Sequence, residues 1–299
     1  MNRKVIPFIG NSNFTKELVD LVHTLSQSNA SVLLVGEKGT GKRLFAQHLH
    51  IDAAEDFGYL YEVNCRSFSA TQVKYAFETV NKLVAYEERI TLYVSHVDEL
   101  SNELQLLFLH FIDDTFKKGL DLKLVCSVEK SLEESVSEGN FSADLYYRLN
   151  AIVLNMLPLS QRKEDILPIA KEYLKSFEKK SGYHFKGFTE ECKERMLNYH
   201  WVGNVDQLIN GIQRAFIVGH PPLISSSDLG ISTNESYFGT FDSILTDKSL
   251  KNATDTFKKE YVTRILEENN WNQTKAAKIL DIQRTYVIRL MNELDIRRK

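Results

Sequence analysis

The chain has 299 residues, enough for two or three domains, and with 43% hydrophobic and 26% charged residues it is not a wholly disordered protein. No run approaches the roughly 18 apolar residues of a membrane span, no secretory leader follows Met1, and Cys65, Cys126 and Cys192 are too widely spaced for metal-type pairs. A cytoplasmic chain in a reducing compartment, with no membrane contact and no protein-held metal, is therefore expected. The net charge of −3 excludes no partner by itself, but it is unevenly spread: from Lys251 onward 11 Lys and Arg stand against 7 Asp and Glu (+4), while the rest carries 26 against 33 (−7). A basic C-terminal segment on an acidic body suits a tail that meets a phosphate backbone.

In chain order, Val32 to Val35 is a short apolar run closed by Gly36 and reads as a buried parallel strand. Leu44 to His50 reads as the helix that follows. Between them, Gly36-Glu37-Lys38-Gly39-Thr40-Gly41-Lys42 matches the first seven positions of the phosphate-loop pattern. Its glycines allow a backbone that aims several N–H groups at one anion, the helix N-terminus adds positive potential, and Lys42 is placed to reach outer phosphates. ATP or ADP is the implied ligand. The hydroxyl residue expected next is replaced by Arg43, which makes Mg²⁺ doubtful.

Further strands are expected at Leu60 to Val63, Thr91 to Val94, Leu122 to Cys126 and Ala151 to Leu154, with a helix at Asn102 to Phe116. Strands alternating with helices predict an α/β parallel sheet with helices on both faces over residues 1–157. Glu164 to Lys179, Thr189 to Asn198 and Val205 to Val218 then read as an all-helical lobe spanning 158–219. Residues 220–250, rich in Ser, Thr, Asn and Gly, read as a linker.

The last segment, 251–299, reads as a helix-turn-helix. Tyr261 to Asn269 is amphipathic, Asn272-Gln273-Thr274 gives a turn and cap, and Thr274 to Leu280 is the first helix of the motif. The small Ala276 and Ala277 let a second helix, Gln283 to Leu294, approach closely. Ile282, Val287, Leu290 and Leu294 face inward, which leaves Gln283, Arg284, Thr285, Tyr286 and Arg289 outward, where such a helix meets base edges. Arg284 suits a guanine and Gln283 an adenine. Lys275, Lys278, Arg289 and Arg297 to Lys299 suit phosphates, and Thr274 belongs to the same face. Double-stranded DNA is the expected partner, and a protein-binding helical hairpin the alternative.

Taken together, Gly36 to Lys42, Asn64-Cys65, Thr91 to Leu100, Phe141 to Asn150, Pro158 to Ile166, Trp201 to Asn210 and the C-terminal module resemble the AAA+ domain of bacterial sigma-54-dependent transcriptional activators joined to a Fis-type helix-turn-helix. Asp144-Leu-Tyr-Tyr-Arg-Leu-Asn150 and Trp201-Val-Gly-Asn-Val205 are the most specific parts. The resemblance implies a AAA+ P-loop sheet, an all-α lid and a Fis-type DNA-binding domain. It also implies self-association as a dimer or higher oligomer through Ser249 to Asn269, with an intact activator homologue or RNA polymerase as a further partner. No receiver or sensory domain is expected ahead of the ATPase-like part, which begins almost at Met1.

The departures from that family are equally specific. Its members end one strand with Asp-Glu, which hold Mg²⁺ and polarise water; in ungapped register these are Ser95 and His96. Asp98-Glu99, three residues on, is the alternative acid pair. The Thr-Asn sensor falls on Val128-Glu129, the first finger arginine on Ser142, and the lid's sensor arginine on Asp206. Arg148 matches the second finger, and a structural salt bridge is its other reading. The sigma-contacting insertion with Gly-Ala-Phe-Thr-Gly-Ala has no counterpart between Cys65 and Thr91. The expectation is a DNA-binding regulator with a degenerate, non-hydrolysing AAA+ domain. An active remodelling ATPase built on Asp98 or Glu99, and an interaction protein that modulates intact activators, are the rival readings.

Overall fold

The computed structural model describes residues 6–54, 58–84, 90–181, 184–219 and 221–231, and in the C-terminal part residues 259, 261–263, 265–266, 269, 271–280, 282–294 and 296. Two compact units divide the chain, Met1–Ile231 and Ser232–Lys299.

The first unit is built on five parallel strands in the order β2-β3-β4-β1-β5: β1 (Val32–Val35), β2 (Tyr59–Asn64), β3 (Ile90–Ser95), β4 (Leu122–Val128) and β5 (Ile152–Asn155). Parallel strands cannot be joined by hairpins, so helices carry the chain back. These are α1 (Asn13–Ser26) before β1, α2 (Lys42–Ala54), α3 (Ala70–Val84), α4 (Asn102–Lys117), and the short α5 (Glu133–Ser137) and α6 (Ala143–Leu149). Alternation along β1 sorts its side chains between two cores. Val32 and Leu34 pack with Leu18 and Val22 of α1 and Phe45 and Leu49 of α2. Leu33 joins the opposite core, where Phe77 of α3 stacks on Phe108 and Phe111 of α4 at 4.7 and 5.2 Å between centroids. The helices thus cover both faces, as the strand–helix alternation predicts. The fully buried Lys123 of β4 donates its ammonium to the carbonyls of Leu25, Ser28 and Ala30 at 2.7, 2.6 and 3.1 Å. A cation at the C-terminal end of α1 satisfies carbonyls that the helix leaves open.

The lid follows with α7 (Ile166–Ser181), β6 (Gly187–Phe188), α8 (Glu190–Asn198), α9 (Asn204–Val218), β7 (Leu223–Ile224) and α10 (Ser226–Leu229). Leu174, Met196, Trp201, Leu208 and Ile212 form its core. Two features differ from the sequence expectation. The lobe holds a two-stranded parallel pair, β6 with β7, which is too short to leave a period in the sequence. Ile224, Leu229 and Ile231 also join its core, so packing continues past the expected boundary at 219 into the stretch read as linker.

In the second unit, α11 (Gln273–Ile279) and α12 (Arg284–Glu293) pack on Val262, Ile265 and Leu266. Asn272 caps α11, its Oδ1 accepting from the amides of Thr274 and Lys275, both at 3.1 Å. Ala276, Ala277, Val287 and Leu290 are buried between the helices. Most of Ser249 to Asn269, the expected self-association segment, and Arg297 to Lys299 lie outside the described residues.

Candidate functional site

The sheet order places β1 between β4 and β5, while β4 links it to β3. The C-terminal ends of β1, β3 and β4 therefore open onto one crevice, the usual ligand position in an open parallel sheet. The loop after β1 is held from below and from the side. Gly36 N donates to Val128 O at 3.2 Å, and Thr40 Oγ1 to Glu37 O at 2.8 Å. Gly39 and Gly41 have φ of +78° and +98°, values that favour glycine. Lys42 Nζ donates to the loop carbonyls of Gly36 and Glu37 at 2.5 and 2.8 Å. Burial holds its ammonium below the usual lysine value, against the upward pull of Glu129, Asp206, Asp98 and Glu37. Arg43, in the hydroxyl position, points away to β2. There its Nη2 meets Glu62 Oε2 at 2.7 Å and its Nε meets both carboxylate oxygens at 3.0 Å.

The lid is fastened to this loop by residues to which the sequence reading gave no role. Asn204, buried and at φ +52°, donates from Nδ2 to Lys38 O (2.9 Å) and Glu37 Oε2 (3.0 Å), and its Oδ1 accepts from Leu159 N (2.7 Å). Val205 N donates to Gly39 O at 3.0 Å, and Arg162 Nη2 to Thr40 O at 2.7 Å. Asp165, fully buried, ties the N-terminal stretch to the lid. It accepts from the amides of Asn11 and Ser12 and the hydroxyls of Ser12 and Thr15, all at 2.7–2.8 Å. Asn204, Arg162 and Asp165 all lie in the segments that carry the family resemblance. Nothing in their residue types alone announces these contacts. Between the N-terminal stretch, the loop and the lid lies a small, mostly apolar cleft whose walls include Phe8, Ile9, Leu44, Met156, Ile169 and Tyr173.

At the other end of the crevice the side chains engage one another. Ser95 Oγ donates to Val63 O at 3.3 Å. His96 sits in left-handed backbone (φ 58°, ψ 49°), its N–H donating to Ser127 O at 2.8 Å and its Nδ1 3.8 Å from Glu129. Arg66, beside Asn64-Cys65, joins two acids: its Nη2 lies 2.9 Å from Glu99 Oε1 and its Nη1 3.1 Å from Glu129 Oε1. Burial, and then the Arg66 charge, hold the His96 imidazole below its usual value. Burial raises the Asp98 carboxyl, with the Glu99 charge adding to the effect. The Asp98-Glu99 pair is thus divided: Glu99 binds Arg66, and Asp98 stands apart. Arg148 Nη2 pairs with Asp113 Oδ1 of α4 at 2.7 Å. Among the described residues, no three His, Cys, Asp or Glu side chains are grouped to hold a metal.

In the second unit, Gln283, Arg284, Thr285 and Tyr286 are all exposed at the start of α12. Thr274, Lys278, Gln283, Arg284 and Tyr286 line one open groove of about 790 Å³, while Lys275, Thr285 and Arg289 are not among its walls. Arg289 folds back on its own helix, with Nε 2.8 Å from Glu293 Oε1 and its guanidinium 5.9 Å from the Tyr286 ring centre. The polar face that the sequence assigns to this helix therefore exists, with Arg289 partly engaged.

Comparison with known proteins adds a decisive observation. Residues 9–159, half of the chain, match the sigma-54 interaction domain family; residues 160–239 match the AAA+ ATPase lid domain, and 255–294 the Fis family of bacterial regulatory proteins. The chain belongs to the sigma-54 interaction domain family. It is 29% identical over 298 residues to the transcriptional regulatory protein ZraR of Klebsiella oxytoca, covering 92% of this chain and 66% of that one. It is 30% identical over 322 residues to the anaerobic nitric oxide reductase transcription regulator NorR of Vibrio vulnificus strain CMCP6, covering 97% and 63%. The chain thus spans just under two thirds of the length of these relatives. Among solved structures, NtrX from Brucella abortus in complex with ADP shares the fold, with a TM-score of 0.69 and 21% identity over 96% of this chain and 68% of that one. Among the described residues, no helix is long and apolar enough to cross a membrane.

Proposed function

We propose that this sigma-54 interaction domain protein is a DNA-binding transcriptional regulator whose AAA+ body binds nucleotide without hydrolysing it. The observation that carries this reading is the set of side chains around the crevice. Where the family's resemblance calls for acids, a polar sensor and a lid arginine, there stand Ser95, His96, Val128, Glu129 and Asp206, with Arg66 bridging Glu99 and Glu129.

The residues present do not fit Mg²⁺. Arg43 replaces the hydroxyl ligand and is held by Glu62, no carboxylate ends β3, and Glu99 of the alternative pair is neutralised by Arg66. The loop itself fits a nucleotide, because its glycines keep the turn and an apolar cleft lies beside it. Bound nucleotide then serves as an assembly or regulatory signal. No sequence corresponding to the sigma-contacting insertion occurs between β2 and β3, where α3 stands. The protein therefore regulates without remodelling sigma-54, as a repressor or as a partner of an intact homologue.

DNA contact is assigned to Thr274, Lys275, Gln283, Arg284, Thr285, Tyr286 and Arg289, with Gln283 and Arg284 reading bases. Steady-state phosphate release with saturating Mg-ATP, with and without DNA, tests the body: wild type should not exceed Lys42→Ala. Turnover lost in that variant would establish the remodelling ATPase instead. Selection of binding sites from random duplex DNA tests the module, and recovery of no preferred sequence would sink the base-reading role.

A further inference from the structure

We infer that the phosphate loop receives its nucleotide without a divalent metal ion, and that Arg43 supplies positive charge in the ion's place. The inference rests on the nucleotide reading above and names the form in which that ligand binds, a metal-free nucleoside diphosphate.

Lys42 alone is a poor anchor for a diphosphate. Glu129, Asp206, Asp98 and Glu37 all act on its ammonium as negative charges. An incoming phosphate therefore meets their repulsion together with the attraction of Lys42. A second cation is needed, and the ligands for a metal are missing. The residue after Lys42 carries a guanidinium where a hydroxyl ligand would stand. Ser95, at the end of β3, brings no carboxylate, and its hydroxyl is engaged by Val63 O. Mg²⁺ demands a near-octahedral shell of oxygens, and a fixed guanidinium beside it repels it.

Arg43 is placed to do the ion's work. It follows Lys42 directly in the first turn of α2. Its partner Glu62 lies on β2 opposite Tyr93, two residues short of the level of Ser95. Glu62 holds one edge of the guanidinium, through Nη2 at 2.7 Å and Nε at 3.0 Å. Nη1 makes no hydrogen bond among the described residues. The Arg43 side chain is 61% exposed, so a ligand arriving from solvent can reach it. An exposed ion pair is a weak restraint. A guanidinium and a phosphate, by contrast, match in geometry and form charge-assisted, bidentate hydrogen bonds. Glu62 is thus a holder that a phosphate can displace.

Isothermal titration calorimetry on the full chain with ADP, in EDTA and then in Mg²⁺, tests this. Wild type should bind ADP in EDTA, and Mg²⁺ should not tighten it, because the ion and Arg43 compete for the same phosphate oxygens. In EDTA, Arg43→Gln should weaken ADP binding about tenfold. Glu62→Gln, which releases the guanidinium, should tighten it about threefold, and should change nothing when Arg43 is already Gln. A purely structural Glu62 would not show that dependence. Mg²⁺ tightening ADP about tenfold, or Arg43→Gln binding ADP in EDTA as wild type does, would overturn the inference and leave the nucleotide reading standing. No heat from ADP with wild type in either condition would remove both.

Discussion

The crevice of the AAA+ body and the exposed face of the C-terminal module make an instructive pair. In the body, strand order, phosphate loop and lid contacts are all in place, with a small apolar cleft beside them. Beyond the ends of β3 and β4, the charged side chains bind each other, with Arg66 joining Glu99 and Glu129. In the module, framework and outward side chains agree, with buried alanines behind an exposed Gln283–Tyr286 edge. Burial dictates the framework in both regions. Chemistry is written on few exposed positions, and these can change without disturbing the fold.

The largest expected effect would break that contrast outright. One lost electrostatic group typically costs about 10²–10³ in rate, and the proposed reading has several exchanged together, so phosphate release by the wild type should be indistinguishable from that of Lys42→Ala. A difference between the two would mean that the strand ends still work. Next in size is the framework. Asp165→Ala strands four donors, three of them buried, and should lower unfolding stability in urea by about 3 kcal/mol or more. Asn204→Ala removes the bonds to Leu159, Lys38 and Glu37 and should cost about 2 kcal/mol. Both variants should leave DNA affinity of the folded protein unchanged, and a parallel loss there would erase the distinction between body and module.

On the module, Arg284→Ala should weaken binding to a selected DNA site by about 1–3 kcal/mol and relax one base position. Arg289→Ala should cost less, because its guanidinium is already shared with Glu293. Smallest is the cap: Asn272→Ala should lower the module's stability by about 1 kcal/mol, read from thermal unfolding.

Much of this was legible in the chain. β1 coincides with its apolar run, and α4, α8 and α9 fall within a residue or so of their expected spans, because hydrophobic period and caps govern such elements. The phosphate loop announced itself through its glycines. Less visible were contacts made across long sequence separations. Asn204 reads as part of a motif, yet its work is to hold a loop far upstream. Arg66 looks like a surface arginine after Asn64-Cys65 until folding sets it between Glu99 and Glu129. The β6–β7 pair escaped notice because two-residue strands leave no periodic trace. The pairing of Arg148 with Asp113 was likewise invisible in the sequence, because the two lie on different helices 35 residues apart.

Gly39 faces Gly203 so closely that a methyl group on the former would sit 2.2 Å from the carbonyl oxygen of the latter. Two backbones meeting without side chains leave no padding between cradle and lid. A side chain at position 39 would have to push cradle and lid apart. The distance between cradle and lid is here set by backbone alone, and it is as short as one van der Waals contact.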